Sequence, residues 1–141
     1  MLFRSSPGLR NTFQSVSSAT HSTYDNCVTL LGEPVVSATA IDQHASQGRS
    51  CTLVHFNEAS HTTFQWDTGE TSEVAFVLNG VDVQGLLTIE TYKGQVLSGK
   101  YKGATAVRTI TYVNTDLTDG CFSVEGLTQS RGVSTLVLTL L

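Results

Sequence analysis

Residues 62–113 decide the fold, and they read TTFQWDTGETSEVAFVLNGVDVQGLLTIETYKGQVLSGKYKGATAVRTITYV. Runs rich in Thr, Val, Ile and aromatic residues alternate here with short turn signals, as in β-hairpins. Such short connections require neighbouring strands to run antiparallel. The stretch therefore predicts an antiparallel meander. Its turn signals are Asp67–Glu70, Asn79-Gly80, Lys93-Gly94 and Lys102-Gly103.

The flanking sequence extends this pattern in both directions and predicts a single all-β domain over residues 1–141. We expect about eight to ten strands, with both Pro7 and Pro34 outside the strand cores. A meander of this length tends to close, because closure removes exposed edges. The sequence therefore favours a β-barrel over a β-sandwich. The flanking strand candidates are residues 12–24, 35–45, 51–56, 121–124 and 133–141.

Composition excludes several classes of protein. Charged residues make up 14% of the chain and the formal net charge is -4, which argues against nucleic acid as a partner, because nucleic acid selects clustered Lys and Arg. No apolar run reaches the length of a helical membrane span, and residues 1–10 lack the apolar stretch of a signal peptide.

The three cysteines, Cys27, Cys51 and Cys121, permit one internal bridge and leave one thiol over. A surface rich in Ser and Thr and poor in Lys favours an exported, extracellular protein. We expect a Cys27–Cys51 bridge, which would close a loop of about 25 residues and contribute about 3 kcal/mol. Pairing of Cys51 with Cys121 is the main alternative. The chain lacks the CxxC spacing that is typical of structural zinc sites and redox motifs.

The titratable residues predict no metal, no cofactor and no catalytic site. His55 and His61 flank Glu58, but no zinc-binding spacing appears. Asp116 and Asp119 share a loop that lacks the ligand density of a calcium site. No GxSxG elbow supports nucleophilic catalysis. The sequence therefore favours a protein that is not an enzyme.

Five residues are candidates for ligand contact: Trp66, Tyr92, Tyr101, Arg108 and Tyr112. Aromatic rings offer a large contact area with a polar handle, although core packing is their more common role. Arg108 alternates with Ala and Ile on one strand face. If that face pointed inward, the arginine would need a carboxylate partner and would mark a cavity. We expect it to point outward, into solvent.

Several short motifs resemble a group of small secreted proteins of Streptomyces and related actinobacteria. They are SPGL at residues 6–9, YDNC and RSC around the first two cysteines, WDTGETS from Trp66, LSGKYKGA from Leu97, DLTDGC from Asp116 and EGLTQSRGVSTL from Glu125. The resemblance covers nearly the whole chain. It implies secretion and a glycine- and threonine-rich all-β domain, and it implies no activity.

Three functions fit these observations. The first is a secreted, non-catalytic module that binds a protein or a glycan. The second is a small barrel carrier or enzyme, lipocalin-, dirigent- or cyclase-like in size, with a ligand in its cavity. The third is an inhibitor or immunity-type partner of an exported protein. Low charge and exposed strand edges are also compatible with a homodimer. The barrel interior distinguishes these functions, because an open polar interior favours the second and a filled interior favours the other two.

Overall fold

A computed structural model describes residues 1–10, 14–30, 32–49, 60–114 and 120–140 of the chain. These residues form eight β-strands. The strands are β1 (Leu2–Leu9), β2 (Gln14–Tyr24), β3 (Ala38–Arg49), β4 (Ser60–Trp66), β5 (Thr71–Gln84), β6 (Leu87–Gly99), β7 (Thr105–Val113) and β8 (Leu127–Thr139). No helix within the described ranges is long and apolar enough to cross a membrane.

The strands form one antiparallel meander in sequence order, and pairing of β1 with β8 closes the sheet into a barrel. The all-β meander predicted from the sequence is confirmed. The Asp67–Glu70 hairpin is confirmed as well, since the amide of Trp66 donates to the carbonyl of Glu70 at 2.9 Å.

Two predicted turns lie inside strands. Asn79 and Gly80 belong to β5, where the register with β6 shifts between Leu78 and Gly80 and so absorbs one extra residue. The chain reverses after β5, at residues 85–86, where Gly85 has a φ of 59° and glycine meets no steric penalty. Lys93 and Gly94 likewise lie within β6 and pair with β7.

The chain termini also differ from the sequence prediction. β1 contains Pro7, which was expected outside the strand cores; a register shift between Arg4 and Leu9 accommodates it, because a proline cannot donate to a regular ladder. Residues 121–124 contain no strand: Cys121 is helical, residues 122–124 form turns and a bend, and β8 begins at Leu127.

Every second residue of each strand points into the barrel, and these inward side chains fill its interior. The interior has two parts. The part that we call the apolar end is filled with hydrophobic side chains: Tyr24, Val35, Ala38, Ala40, Phe64, Trp66, Val74, Phe76, Val96, Ala104 and Ala106. The part that we call the polar half holds buried polar side chains: Ser18, Ser22, Asp42, Thr62, Thr88, Glu90, Arg108 and Ser130. This second part is the candidate site.

Candidate functional site in the barrel interior

Arg108 lies inside the barrel and is only 4% exposed. Ala106, Ile110 and Tyr112 on the same face of β7 are also buried. The expectation of an outward, solvated Arg108 is therefore wrong. The period-two alternation correctly grouped these residues on one face, but a face with one arginine among apolar residues points inward here because a carboxylate is available to pair with it.

That carboxylate belongs to Asp42 on β3, which is 1% exposed. Nη1 of Arg108 donates to Oδ2 of Asp42 at 3.1 Å. Thr62, directly opposite Asp42 on β4, donates its hydroxyl to the other carboxylate oxygen. Burial by itself lowers the pKa of Arg108, but the negative charge of Asp42 and the hydrogen bond to it, together with the electrostatic effects of Tyr24 and Tyr92, outweigh burial and raise that pKa above its ordinary value. The buried guanidinium is therefore charged.

Two aromatic rings flank the guanidinium. Its Cζ lies 4.4 Å from the ring centroid of Phe76 and 5.4 Å from that of Tyr92. Tyr92 is directly opposite Arg108 on β6, and its hydroxyl donates to Glu90. Such cation–π contacts hold a guanidinium in place without using its N–H groups.

Three buried polar atoms of the site have no hydrogen-bond partner among the described residues. They are Nε of Arg108, Oγ of Ser22 and Oγ of Ser130. Their residues are 3–5% exposed. Buried polar groups are nearly always satisfied in native proteins, since an unsatisfied one costs roughly 1–3 kcal/mol. These atoms therefore mark positions where an additional group would be stabilised.

The wall beside the polar half has an open rim. Val81 and Val83 lie directly opposite Glu90 and Thr88, so all four side chains share the inward face of the β5–β6 pair. Glu90 and Thr88 are buried, whereas Val81 and Val83 are 45% and 64% exposed. The inward face of this hairpin therefore reaches solvent at its tip and forms an apolar lip next to the polar residues.

The structure places the five predicted ligand-contact residues in two contacting pairs and leaves Tyr112 apart from both. Trp66 and Tyr101 pack edge to face at 5.3 Å, and Trp66 also donates to Ser72 at 2.8 Å. Both residues belong to the apolar end. Arg108 and Tyr92 are in contact within the polar half. Tyr112 is buried two positions beyond Ile110 on the same face, and its hydroxyl lies 3.8 Å from Sδ of Met1.

Sequence reasoning missed Asp42, Ser22 and Ser130. For Asp42 a signal existed, because it continues the alternation of Ala38 and Ala40 onto the inward face. A carboxylate at the end of such an apolar face is the partner that a buried arginine needs. The two serines carry no comparable signal in a chain this rich in Ser.

The predicted Cys27–Cys51 bridge is wrong, because Cys27 is a free, half-buried cysteine. Its amide instead donates to the carbonyl of Val36 at 2.9 Å, which holds the segment between β2 and β3. Cys51 lies outside the described residues, so its pairing with Cys121 stays a prediction.

The predicted metal-binding alternatives fall largely on residues that the structure does not describe, namely His55, Glu58, Asp116 and Asp119. Within the described ranges, no group of three or more His, Cys, Asp or Glu side chains is placed to hold a metal ion.

No protein-family model, curated protein or solved structure matches this chain.

Proposed function

We propose that this protein binds a small neutral molecule inside its barrel, with the oxygen-bearing head of the molecule held in the polar half. The observation that carries the proposal is the buried pair of Arg108 and Asp42, together with the unpartnered atoms of Arg108, Ser22 and Ser130. This function corresponds to the carrier among the alternatives raised by the sequence.

Stability alone does not account for this pair. A well-packed set of hydrophobic side chains is often as stabilising as a buried ion pair, or more so, because two charges must be removed from water. The apolar end shows that this barrel is filled with such side chains where no charge is present. A polar interior maintained at that cost favours a binding role.

The charges and donors of the site define the class of ligand. The charge of Asp42 offsets that of Arg108 at 3.1 Å, and Glu90, which accepts from Tyr92, adds a second acidic side chain, so the site offers an anion no unpaired positive charge. Nε of Arg108 is a donor, and the two serine hydroxyls can donate. A carbonyl or amide oxygen would accept a hydrogen bond from Nε of Arg108. Val81 and Val83 at the lip suit an apolar chain or ring attached to that oxygen.

Three probes of equal length test the proposal: octanamide, octanoate and octylamine, measured by isothermal titration calorimetry on the whole chain. We expect octanamide to bind most tightly. Arg108→Lys should weaken it about tenfold or more, because a lysine has no Nε donor in a planar fork. Arg131→Lys is the matched control, since Arg131 is exposed on β8 and should leave binding unchanged.

Each other outcome contradicts a separate part of the proposal. Tighter binding of octanoate would show that Arg108 attracts an anion despite Asp42, and tighter binding of octylamine would show that the acidic side chains of the site select a cation. No binding of any probe, with a folded protein, would reject the interior as a ligand site of this class. The secreted module for a protein or glycan, expected first from the sequence, would then be the better proposal.

A further inference from the structure

Glu90 is the second buried acidic side chain of the polar half, after Asp42. It lies on the inward face of β6 and is 1% exposed. Its direct neighbours on the adjacent strands are Val81 of β5 and Ile110 of β7. Neither aliphatic side chain can donate a hydrogen bond, although a buried acidic group is stable only when donors reach it. The donors to Glu90 therefore come from other positions.

One such donor is Tyr92, two residues further along β6. Its hydroxyl donates to Oε2 of Glu90. A carboxylate has about four acceptor sites on its two oxygens, whereas a tyrosine hydroxyl carries one hydrogen. Glu90 can therefore accept a further hydrogen bond from a ligand while Tyr92 fixes the orientation of its carboxylate.

Arg108 is the diagonal neighbour of Glu90 across the β6–β7 pair. Tyr92 lies directly opposite Arg108, and Glu90 is two residues before Tyr92 on β6. Diagonal neighbours on one face of a sheet lie about 7–8 Å apart. An amide group with a hydrogen bond of about 2.9 Å at each end spans up to roughly 8 Å. One amide group therefore has the length to bridge the guanidinium of Arg108 and the carboxylate of Glu90.

The apolar lip lies next to the acidic end of the site. Val81, directly opposite Glu90, and Val83 are both exposed at the tip of the hairpin. An alkyl chain attached to the amide can lie along these two valines on its way to solvent, with the amide itself among buried polar groups. Contact with the valines favours an amide that carries an apolar chain.

We propose that the ligand is an alkyl amide whose carbonyl oxygen accepts from Nε of Arg108 and whose N–H donates to Glu90. The proposal rests on the binding function proposed for the barrel interior and adds the requirement for an N–H group. The amide dipole matches the site, because its oxygen faces the guanidinium and its N–H faces the carboxylate. An ammonium group would bring a second positive charge beside Arg108, and a ketone would offer Glu90 no donor.

Octanamide and 2-nonanone are matched probes, because an NH₂ group in the first replaces a terminal CH₃ group in the second. Isothermal titration calorimetry on the whole chain measures both. We expect octanamide to bind at least about tenfold tighter, since Glu90 accepts from its N–H. Equal or tighter binding of 2-nonanone would overturn the proposal, because a buried N–H without an acceptor loses its hydrogen bond to water. That result would leave the binding function intact, whereas failure of both probes to bind would reject the binding function itself.

Substitutions at Glu90 test whether this residue supplies the preference. Glu90→Met removes the acceptor at similar size and should reduce the preference for octanamide over 2-nonanone to less than about twofold. Glu90→Gln keeps a polar group beside Tyr92 but removes the charge, and it should reduce the preference at least about threefold. Circular dichroism checks that each variant is folded.

The matched control is Glu73→Gln. Glu73 is an acidic residue of β5 that alternates with the buried Ser72 and Val74 and accepts from Thr63 at 2.8 Å, so it lies outside the barrel interior. This variant should keep the preference of the parent protein. A folded Glu90→Gln or Glu90→Met protein with the parent's preference would overturn the assignment of the N–H group to Glu90.

Discussion

The guanidinium of Arg108 lies between the carboxylate of Asp42, at 3.1 Å, and the ring of Phe76, at 4.4 Å. Phe76 belongs to the apolar end and Asp42 to the polar half. Arg108 therefore sits at the boundary between the two parts of the interior. Its aromatic contact continues towards Trp66 through Phe64, whose ring centroid lies 6.3 Å from that of Phe76 and 5.9 Å from that of Trp66.

Breaking this pair on one side should destabilise the barrel strongly. Arg108→Met leaves the buried Asp42 without its counter-charge, and Asp42→Asn does the same to the arginine. We expect each single variant to lower the free energy of unfolding by about 3–5 kcal/mol. The double variant should be clearly more stable than the sum of the single effects implies. Urea unfolding of all four proteins measures the coupling, and additive losses would show that the two residues are energetically independent.

Gly94 should tolerate no side chain. A Cβ at this position would lie 1.9 Å from the carbonyl oxygen of Ala75 on the neighbouring strand and 3.1 Å from the side chain of Phe76. The backbone of β5 cannot move aside without disturbing its pairing, so Gly94→Ala should lower the free energy of unfolding by about 2 kcal/mol or more. Gly80→Ala is the matched control, because a Cβ there meets nothing within 4 Å. Thermal denaturation of both variants compares them, and equal melting temperatures would contradict the packing of β5 on β6.

Asp67 should make the barrel less stable in acid. Its Oδ1 accepts hydrogen bonds from the amides of Val36, at 2.9 Å, and Ser37, at 3.2 Å, and these bonds lower its pKa below 3.8. Because the folded pKa is the lower one, the stabilisation is complete above the unfolded pKa of about 4 and is lost as pH falls through the folded pKa.

Asp67→Asn should therefore flatten the dependence of melting temperature on pH below about pH 4, because the parent protein loses this stabilisation as pH falls from the unfolded pKa of Asp67 towards its lower folded pKa. Asp82→Asn serves as the control, since the carboxylate of Asp82 accepts from the side chain of Gln84 rather than from backbone amides. A profile for Asp67→Asn that follows the parent throughout the acid range would show that these backbone bonds do not contribute.

The fold was predictable where local pattern and turn chemistry agree. Alternation placed Ala106, Arg108, Ile110 and Tyr112 on one face, and the structure buries all four. The prediction from the sequence failed where a local turn signal competes with strand pairing. Asn79-Gly80 resembles a hairpin turn, yet a register shift with β6 retains it in β5. The pleated pairing of two long strands outweighs the preference of one dipeptide.

The site was predictable only in part, because it depends on contacts across the barrel. Arg108 and Asp42 are separated by 66 residues. Alternation identifies which face of a strand each occupies, but it does not specify which strands oppose each other across a closed sheet. The expectation for Arg108 failed for this reason: its partner lies on β3, and no feature of β7 itself indicates that partner.

Cys27 should be the thiol that reacts in the folded protein, and it should react slowly. Burial raises the pKa of this thiol, and the negative charges of Asp67 and Asp25 raise it further. Alkylation by iodoacetamide at pH 7 should therefore be slower than that of glutathione. Asp25→Asn should accelerate it about twofold, since an exposed charge contributes well under 1 kcal/mol. An unchanged rate would show that Asp25 does not influence the thiol.

With Cys27 free, the pairing left for the remaining cysteines is Cys51 with Cys121, the alternative from the sequence. Peptide mapping without reduction should recover these two residues in one linked product. Reduction should then lower the free energy of unfolding by about 4 kcal/mol, as expected for a loop of roughly 70 residues. A linked product that contains Cys27 would contradict both the pairing of Cys51 with Cys121 and the free thiol of Cys27.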